Sequence, residues 1–356
     1  MRSDFELDFG PTLLYIDVTN FCSIGCRFCM YKMAHGVQHL NLSSSNLSAI
    51  ARLARGATKI CISGEGEPLT KVKSVLAISS IAREGQTVEV ITSGGKSWTH
   101  LEQFLDSFES LGKIYRFQPR LRISFDRWHA EKIPPIIYSS AIERRIKHPS
   151  PETAAELHFR SVTTDIDWAL NSLGQILRDN KIAYRCYSRE LLTHVFEIAD
   201  LSVPIIFKNI VNPGHLIEQD PFTLETYMSS IEEAKGKPFV FGNLGTNTRI
   251  PGPDVTVKPN GEIYLYGLET ECQWDLNMDI SRDDIIETIR KNPVLWTFYS
   301  KPLRNILLEL NKIPTLSKTI SSINNPYWLV KCLRQTHPVE FEKAISQILH
   351  NQLRIH

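Results

Sequence analysis

The 356-residue sequence has almost no net charge: 40 Lys and Arg against 39 Asp and Glu leave +1. No global field therefore points to nucleic acid or an acidic surface as partner. Long apolar runs are missing too, and no window approaches the ~20 residues a membrane helix needs. The opening Met1-Arg2-Ser3-Asp4-Phe5-Glu6-Leu7-Asp8 is too acidic and polar for a secretory signal. Glycine (18) and proline (19) are neither abundant nor periodic, which excludes a collagen-like or low-complexity chain. Cysteine is sparse and odd in number, at seven, which argues against a secreted disulfide scaffold. What remains is a cytosolic (cytoplasmic) globular protein, long enough for one large domain and an appendage.

Short apolar runs alternate with helical periodicity. Leu13–Val18, Lys59–Ser63, Val88–Thr92, Leu121–Phe125, Leu157–Val162 and Ile205–Ile210 have the composition of buried strands. Between them, Ser45–Leu53, Trp98–Leu111 and Asp165–Leu177 repeat apolar residues at three and four. Near-continuous apolar strands separated by helices predict an α/β fold with a parallel sheet. About six units suit a partial (β/α)6 TIM-like barrel, expected over residues 1–250. Val255–Tyr266, with Pro259-Asn260-Gly261 at its centre, predicts a hairpin in a closing segment, 251–280. Residues 281–356 are expected to form a mainly helical C-terminal extension, interrupted by Pro293, Pro302, Pro314, Pro326 and Pro338. That extension has 11 Lys/Arg against 6 Asp/Glu, so it carries +5 and the remainder −4. A mildly basic helical face of this kind is ordinary solvated surface.

Three of the seven cysteines fall within eight residues, Cys22-Ser23-Ile24-Gly25-Cys26-Arg27-Phe28-Cys29, directly after the first strand. Thiolates are soft ligands that suit iron–sulfur clusters, zinc or copper(I). Three of them can hold three irons of a cubane and leave the fourth open to a small molecule. A structural zinc needs a fourth ligand at comparable spacing, for which His35 and His39 are the local candidates.

This C-x3-C-x2-C spacing, with an aromatic before the last cysteine at the end of a barrel's first strand, resembles the radical S-adenosylmethionine (radical SAM) superfamily. The resemblance covers about residues 10–265. It implies a single 4Fe–4S cluster held by Cys22, Cys26 and Cys29, with Phe28 beside the cofactors. S-adenosylmethionine would chelate the open iron and be cleaved reductively to a 5′-deoxyadenosyl radical. An external electron donor such as flavodoxin or ferredoxin is implied as partner.

Ser63-Gly64-Glu65-Gly66-Glu67-Pro68 follows the second strand. Glycines there let main chain approach a ligand, and Glu67 supplies an acceptor. The segment is similar to the family's Gly-Gly-Glu-Pro motif, so Gly64, Gly66, Glu67 and Pro68 are implied contacts of S-adenosylmethionine. Glu65 departs from that motif, and Gly-x-Gly-Glu-Pro-Leu is closer to the form in radical rRNA-adenine methyltransferases. Ser93, in Ile91-Thr92-Ser93-Gly94-Gly95, and Ser124 and Arg160, at the fourth and fifth strands, resemble further cofactor contacts. Arg160 also stands out because its fork pairs with a carboxylate and because a charge in an apolar strand needs a partner. Asp126 and His129 are expected at the barrel mouth as catalytic residues that hold a hydroxylated substrate or move a proton. Asn209, Asn212, His215, Tyr264 and Tyr266 are further candidate contacts. Cys272 is the candidate thiol donor or methyl carrier; Cys61, Cys186 and Cys332 fit small buried hydrophobes.

The C-terminal third contains only Cys272 and Cys332, too few for a complete auxiliary cluster, and no module is expected ahead of the barrel. These features point to a small polar metabolite, of sugar, aminocyclitol or nucleoside type, in a biosynthetic pathway. The reaction, whether oxidoreductase, lyase or epimerase in type, stays open. The alternatives are a radical peptide epimerase or RNA methyltransferase using Cys272, and a non-enzymatic metal-stabilised binding protein.

Overall fold

A computed structural model describes residues 9–26, 29, 39–95, 97–150, 152, 154–210, 222–242 and 251–353. The six expected strands lie side by side and parallel. They are β1 (Thr12–Asp17), β2 (Ala57–Ser63), β3 (Thr87–Thr92), β4 (Gln118–Ser124), β5 (Glu156–Val162) and β8 (Leu201–Lys208). Helices connect them: α1 (Leu47–Ala54), α2 (Val72–Ser79), α3 (Trp98–Tyr115), α4 (Arg127–Ala130), α5 (Pro135–Lys147) and α6 (Ile166–Asp179). In β3 every residue after the first is buried, because helices cover one face and the barrel interior the other. This is a partial TIM-like barrel with a helical C-terminal region.

Two hairpins extend the sheet. β6 (Arg185–Glu190) and β7 (Thr193–Ile198) form an antiparallel meander with β8. At the other edge β9 (Asp254–Val257) pairs parallel with β1, and β10 (Glu262–Leu265) returns antiparallel against it. The turn between them is the expected Pro-Asn-Gly, with Gly261 at φ +90°, a conformation glycine adopts without strain. The short β11 (Trp274–Asp275) completes an open order, β11-β10-β9-β1-β2-β3-β4-β5-β8-β7-β6. The β9–β10 hairpin lengthens the β1 edge and does not join β8, because β10 occupies the edge of β9 that faces away from β1.

After α7 (Leu224–Lys235), the C-terminal helices are α8 (Arg282–Lys291), α9 (Pro293–Ser300), α10 (Leu303–Leu310), α11 (Pro314–Ile320), α12 (Pro326–Thr336) and α13 (Pro338–Leu353). Each of the five prolines stands at or just before a helix start, where its missing N–H costs nothing. These helices are not a loose appendage. One apolar cluster runs without a break from Leu14 to Ile348, and Arg334 on α12 forks onto buried Glu271 at 2.7 and 2.8 Å.

The barrel interior is charged. Paired residues of adjacent parallel strands face the same side, which sets Tyr15, Cys61 and Glu89 in one row and Arg122 opposite Ile91. The buried Glu89 carboxylate is 3.0 Å from Lys59 and 2.9 Å from Arg122, with Arg120 at 3.9 Å. Burial alone would raise its pKa, but Arg122, Lys59 and Arg120 overrule it and hold the carboxyl far below the usual range. Removing one partner of a buried ion cluster costs roughly 3–5 kcal/mol. Glu89→Gln is therefore expected to lower the urea midpoint of unfolding by that order at pH 7. A depressed carboxyl stabilises the fold above its unfolded pKa of about 4.3, and that contribution fades as the pH falls below it. The gap between parent and variant should accordingly narrow below about pH 4.

Candidate active site

The cysteine loop leaves β1 and lies along the exit of β2. Val18 N–H donates to Ser63 O at 3.2 Å, Gly66 N–H to Thr19 O at 2.9 Å, and Glu67 N–H to Phe21 O at 2.8 Å. This ladder explains the glycines. A Cβ built on Gly66 would stand 2.1 Å from Phe21 O, and one on Gly64 would stand 2.8 Å from Thr19 O. Their hydrogens make room for the cysteine loop's main chain, and both glycines also line the cavity. Gly25, at φ +67°, lets the loop reverse between Cys22 and Cys26.

Cys22, Cys26 and Cys29 are half-buried and all line one cavity of about 300 Å3 at the mouth of the barrel. Cys29 N–H donates to Cys26 O at 3.2 Å. Burial pushes the Cys22 thiol up, while the backbone N–H groups of Ile24 and Gly25 stabilise its thiolate. Among the described residues no three His, Cys, Asp or Glu side chains converge on a single-ion site. A single tetrahedral zinc would need a fourth ligand beside these thiols. A cubane needs no such convergence, since it spreads three thiolates over three irons.

Glu67 fixes the neighbouring wall. It is 5% exposed, and its carboxylate accepts four hydrogen bonds. Leu69 N–H (3.0 Å) and the Thr92 hydroxyl (2.5 Å) donate to Oε1. Ser93 N–H (2.8 Å) and its hydroxyl (2.7 Å) donate to Oε2. An ionised carboxylate has about four acceptor positions, so this side chain is filled by the chain itself. It ties the end of β2 to the end of β3, and the hydroxyl of Ser93, an expected cofactor contact that lines the cavity, is engaged with it.

Ser124 and Arg160 are register partners at the ends of β4 and β5, and both face the cavity. Asp126 caps α4, accepting from His129 N–H at 2.9 Å, and its other oxygen lies 2.6 Å from His129 Nδ1. The opposite ring nitrogen, Nε2, is 3.3 Å from Cys26 Sγ. Burial disfavours the imidazolium, but the bonds to Asp126 and Cys26 lift the His129 pKa to about 10. The pair expected to meet a substrate lines the cavity, with His129 also against a cysteine of the motif.

Other expectations land elsewhere. Cys272 does not line the cavity; it packs on the core, and burial pushes its thiol up to about 12. Asn209 is engaged with the tail, accepting from Asn325 Nδ2 at 3.1 Å and donating to Asn324 O. Tyr266 lines the cavity and Tyr264 does not. His39 packs edge-on against Phe21 with ring centres 4.8 Å apart. Phe28, His35, Asn212 and His215 lie outside the described residues. The cavity also takes Lys208, Tyr227, Asn325 and Tyr327, none of which the motifs singled out. Lys208 alone had a signal, a lone cation in an apolar strand.

Residues 16–160 match the family model of the Radical SAM superfamily. Residues 16–160 therefore carry a radical SAM domain. Its match spans the cysteine loop, the Glu67 turn and Arg160, and it stops where β5 carries that arginine into the cavity. Among solved structures, native anSMEcpe with bound AdoMet (S-adenosylmethionine) and Kp18Cys peptide is 12% identical, over 94% of this chain and 99% of that one, at a TM-score of 0.50. Streptococcus suis SuiB bound to precursor peptide SuiA is 10% identical over 77% and 64%, TM-score 0.37. BtrN in complex with AdoMet and 2-DOIA is 17% identical over 33% and 46%, TM-score 0.24. No curated protein sequence matches the chain. At these identities the likeness speaks for the fold alone.

The donor set fits the 4Fe–4S cluster typical of radical SAM domains: three thiols on one loop at the cavity rim, with backbone N–H groups turned to one sulfur. Gly66 is the sensitive support of that loop. Gly66→Ala is expected to dislodge Phe21 and cut iron and sulfide incorporation on anaerobic reconstitution well below about four irons per chain. Iron and sulfide analysis checks this, with the thermal midpoint as control for folding.

Proposed function

We propose that this radical SAM domain cleaves S-adenosylmethionine at one 4Fe–4S cluster held by Cys22, Cys26 and Cys29 and acts on a small polar metabolite. When bound, the cluster would supply the electron for reductive cleavage, and the resulting adenosyl radical would take hydrogen from the substrate. The observation that carries the reading is the three thiols on one cavity rim, supported from below by Gly66 and Glu67. Around them the chain's own groups position and exclude. Glu67, filled by its four donors, holds Ser93 in place along the cavity wall, where Pro68 and Ser93 would contact the cosubstrate. Arg160 and Ser124 offer a cation and a hydroxyl from adjacent strands, a pairing suited to a carboxylate. The C-terminal helices close the opposite wall through Asn325 and Tyr327, which leaves a walled pocket more suited to a compact substrate than to a folded RNA.

We assign Asp126 and His129 to the support of the cluster. Asp126 orients the ring so that Nε2 meets Cys26 sulfur, and hydrogen bonds to ligating sulfurs tune cluster potentials. His129→Phe should leave iron content near that of the parent and move the reduction potential to a more negative value, read by an EPR-monitored redox titration. An unchanged potential with full iron would remove His129 from this role.

The reading is tested by reconstituting the protein anaerobically, adding reductant and S-adenosylmethionine, and measuring 5′-deoxyadenosine. The parent should form it above background, Cys26→Ala should not, and Cys272→Ala should form it at the parent rate. Formation that survives Cys26→Ala contradicts the assignment, and loss with Cys272→Ala would favour a peptide epimerase or methyltransferase that uses that thiol.

A further inference from the structure

The cavity contains more positive charge than its own acids neutralise. Its acidic lining residues are Glu65, Glu67 and Asp126. Glu67 is filled by four donors, Asp126 is bonded to His129, and Glu65 has Lys258 and Lys331 as its cationic neighbours. Deeper in the barrel, Arg122 is neutralised by Glu89. Two cations are left over. Among the described residues, neither the Arg160 guanidinium nor the Lys208 ammonium has an ion-pair or hydrogen-bond partner, although both line the cavity. They sit on adjacent strands with a common orientation, since Arg160 pairs with Ile206 and Val162 with Lys208.

Burial of an unpaired ammonium is costly, and an apolar residue would pack at the end of β8 without that cost. Here burial, with Arg160 and Arg122 nearby, pulls the Lys208 pKa well below its ordinary value. Among the described residues no acid completes this site, which leaves it open to an anion from outside the chain. Its position separates it from the cysteine loop. That loop follows β1, whereas β8 is the far strand of the six-stranded parallel set. We propose that Lys208 binds an anionic group of the substrate, a carboxylate or a phosphate, and so restricts the substrate class to acidic metabolites. The proposal rests on reading the cavity as a substrate site.

The test uses the reconstituted protein with S-adenosylmethionine present, and inorganic phosphate and acetate as probes, followed by titration calorimetry. One of the two anions should bind the parent. Lys208→Met should weaken it about tenfold or more, the scale of losing one charge-assisted hydrogen bond. Lys208→Arg should retain most of the affinity, which separates lost charge from lost folding. The dissociation constant of S-adenosylmethionine should stay within about twofold in both variants, a change too small to signal a lost ion pair. Two results overturn the proposal: neither anion binds the parent, or Lys208→Met leaves anion binding intact. A third does so as well, in which Lys208→Met chiefly weakens S-adenosylmethionine and so assigns the lysine to the cosubstrate's own carboxylate. Because the same titration runs on cluster-free protein, failure of the radical reaction and failure of the anion site are distinguishable.

Discussion

Two main-chain hydrogen bonds, from Gly66 to Thr19 and from Glu67 to Phe21, seat the cysteine loop on the exit of β2. The rest of the site depends on that seat. The loop's path fixes where Cys22, Cys26 and Cys29 meet the cavity. The same turn delivers Glu67 to Thr92 and Ser93, so β1, β2 and β3 are locked at their ends in one unit. A side chain at Gly66 would collide with the Phe21 backbone, and main chain cannot swing aside as a flexible side chain can. The glycine spacing is therefore a packing requirement of the loop that carries the thiols.

A second layer supports the first from across the barrel. His129 reaches Cys26 from α4, 103 residues along the chain, and Asp126 sets its ring while capping the same helix. Below them lies the Glu89 cluster, which neutralises Arg122 but leaves Arg160 and Lys208 facing the cavity. The interior thus has a graded character: an ion cluster around Glu89 in the barrel, then Arg160 and Lys208 without an ion-pair partner among the described residues, and the thiols of the motif along the cavity.

Much of this was legible in the sequence. The parallel strands announced themselves because burial on both faces demands near-continuous apolar runs, and the tail's helices because each begins at a proline. The cysteine motif is local and needed no fold to be seen. The β6–β7 hairpin escaped because Arg185–Glu190 is a polar, largely exposed edge strand with no apolar signal to find. Contacts made by folding across long separations were out of reach. Examples are His129 with Cys26, Asn209 with Asn324 and Asn325, and the entry of Tyr327 into the cavity from the last hundred residues. Lys208 was visible by the argument that singled out Arg160, a charge inside an apolar strand. Its significance needed the register of β5 and β8 and the absence of an acid opposite it among the described residues. Cys272 illustrates the converse: chemistry-bearing by type, yet placed by the fold away from the cavity.

The most direct measurement is the low-temperature EPR spectrum of the reduced, reconstituted protein before and after S-adenosylmethionine is added. If the loop leaves one iron without a protein ligand, the added sulfonium compound binds there and the signal changes shape. A spectrum that stays the same at saturating S-adenosylmethionine would mean the metal site is coordinatively closed, and the account built on Cys22, Cys26 and Cys29 would fail.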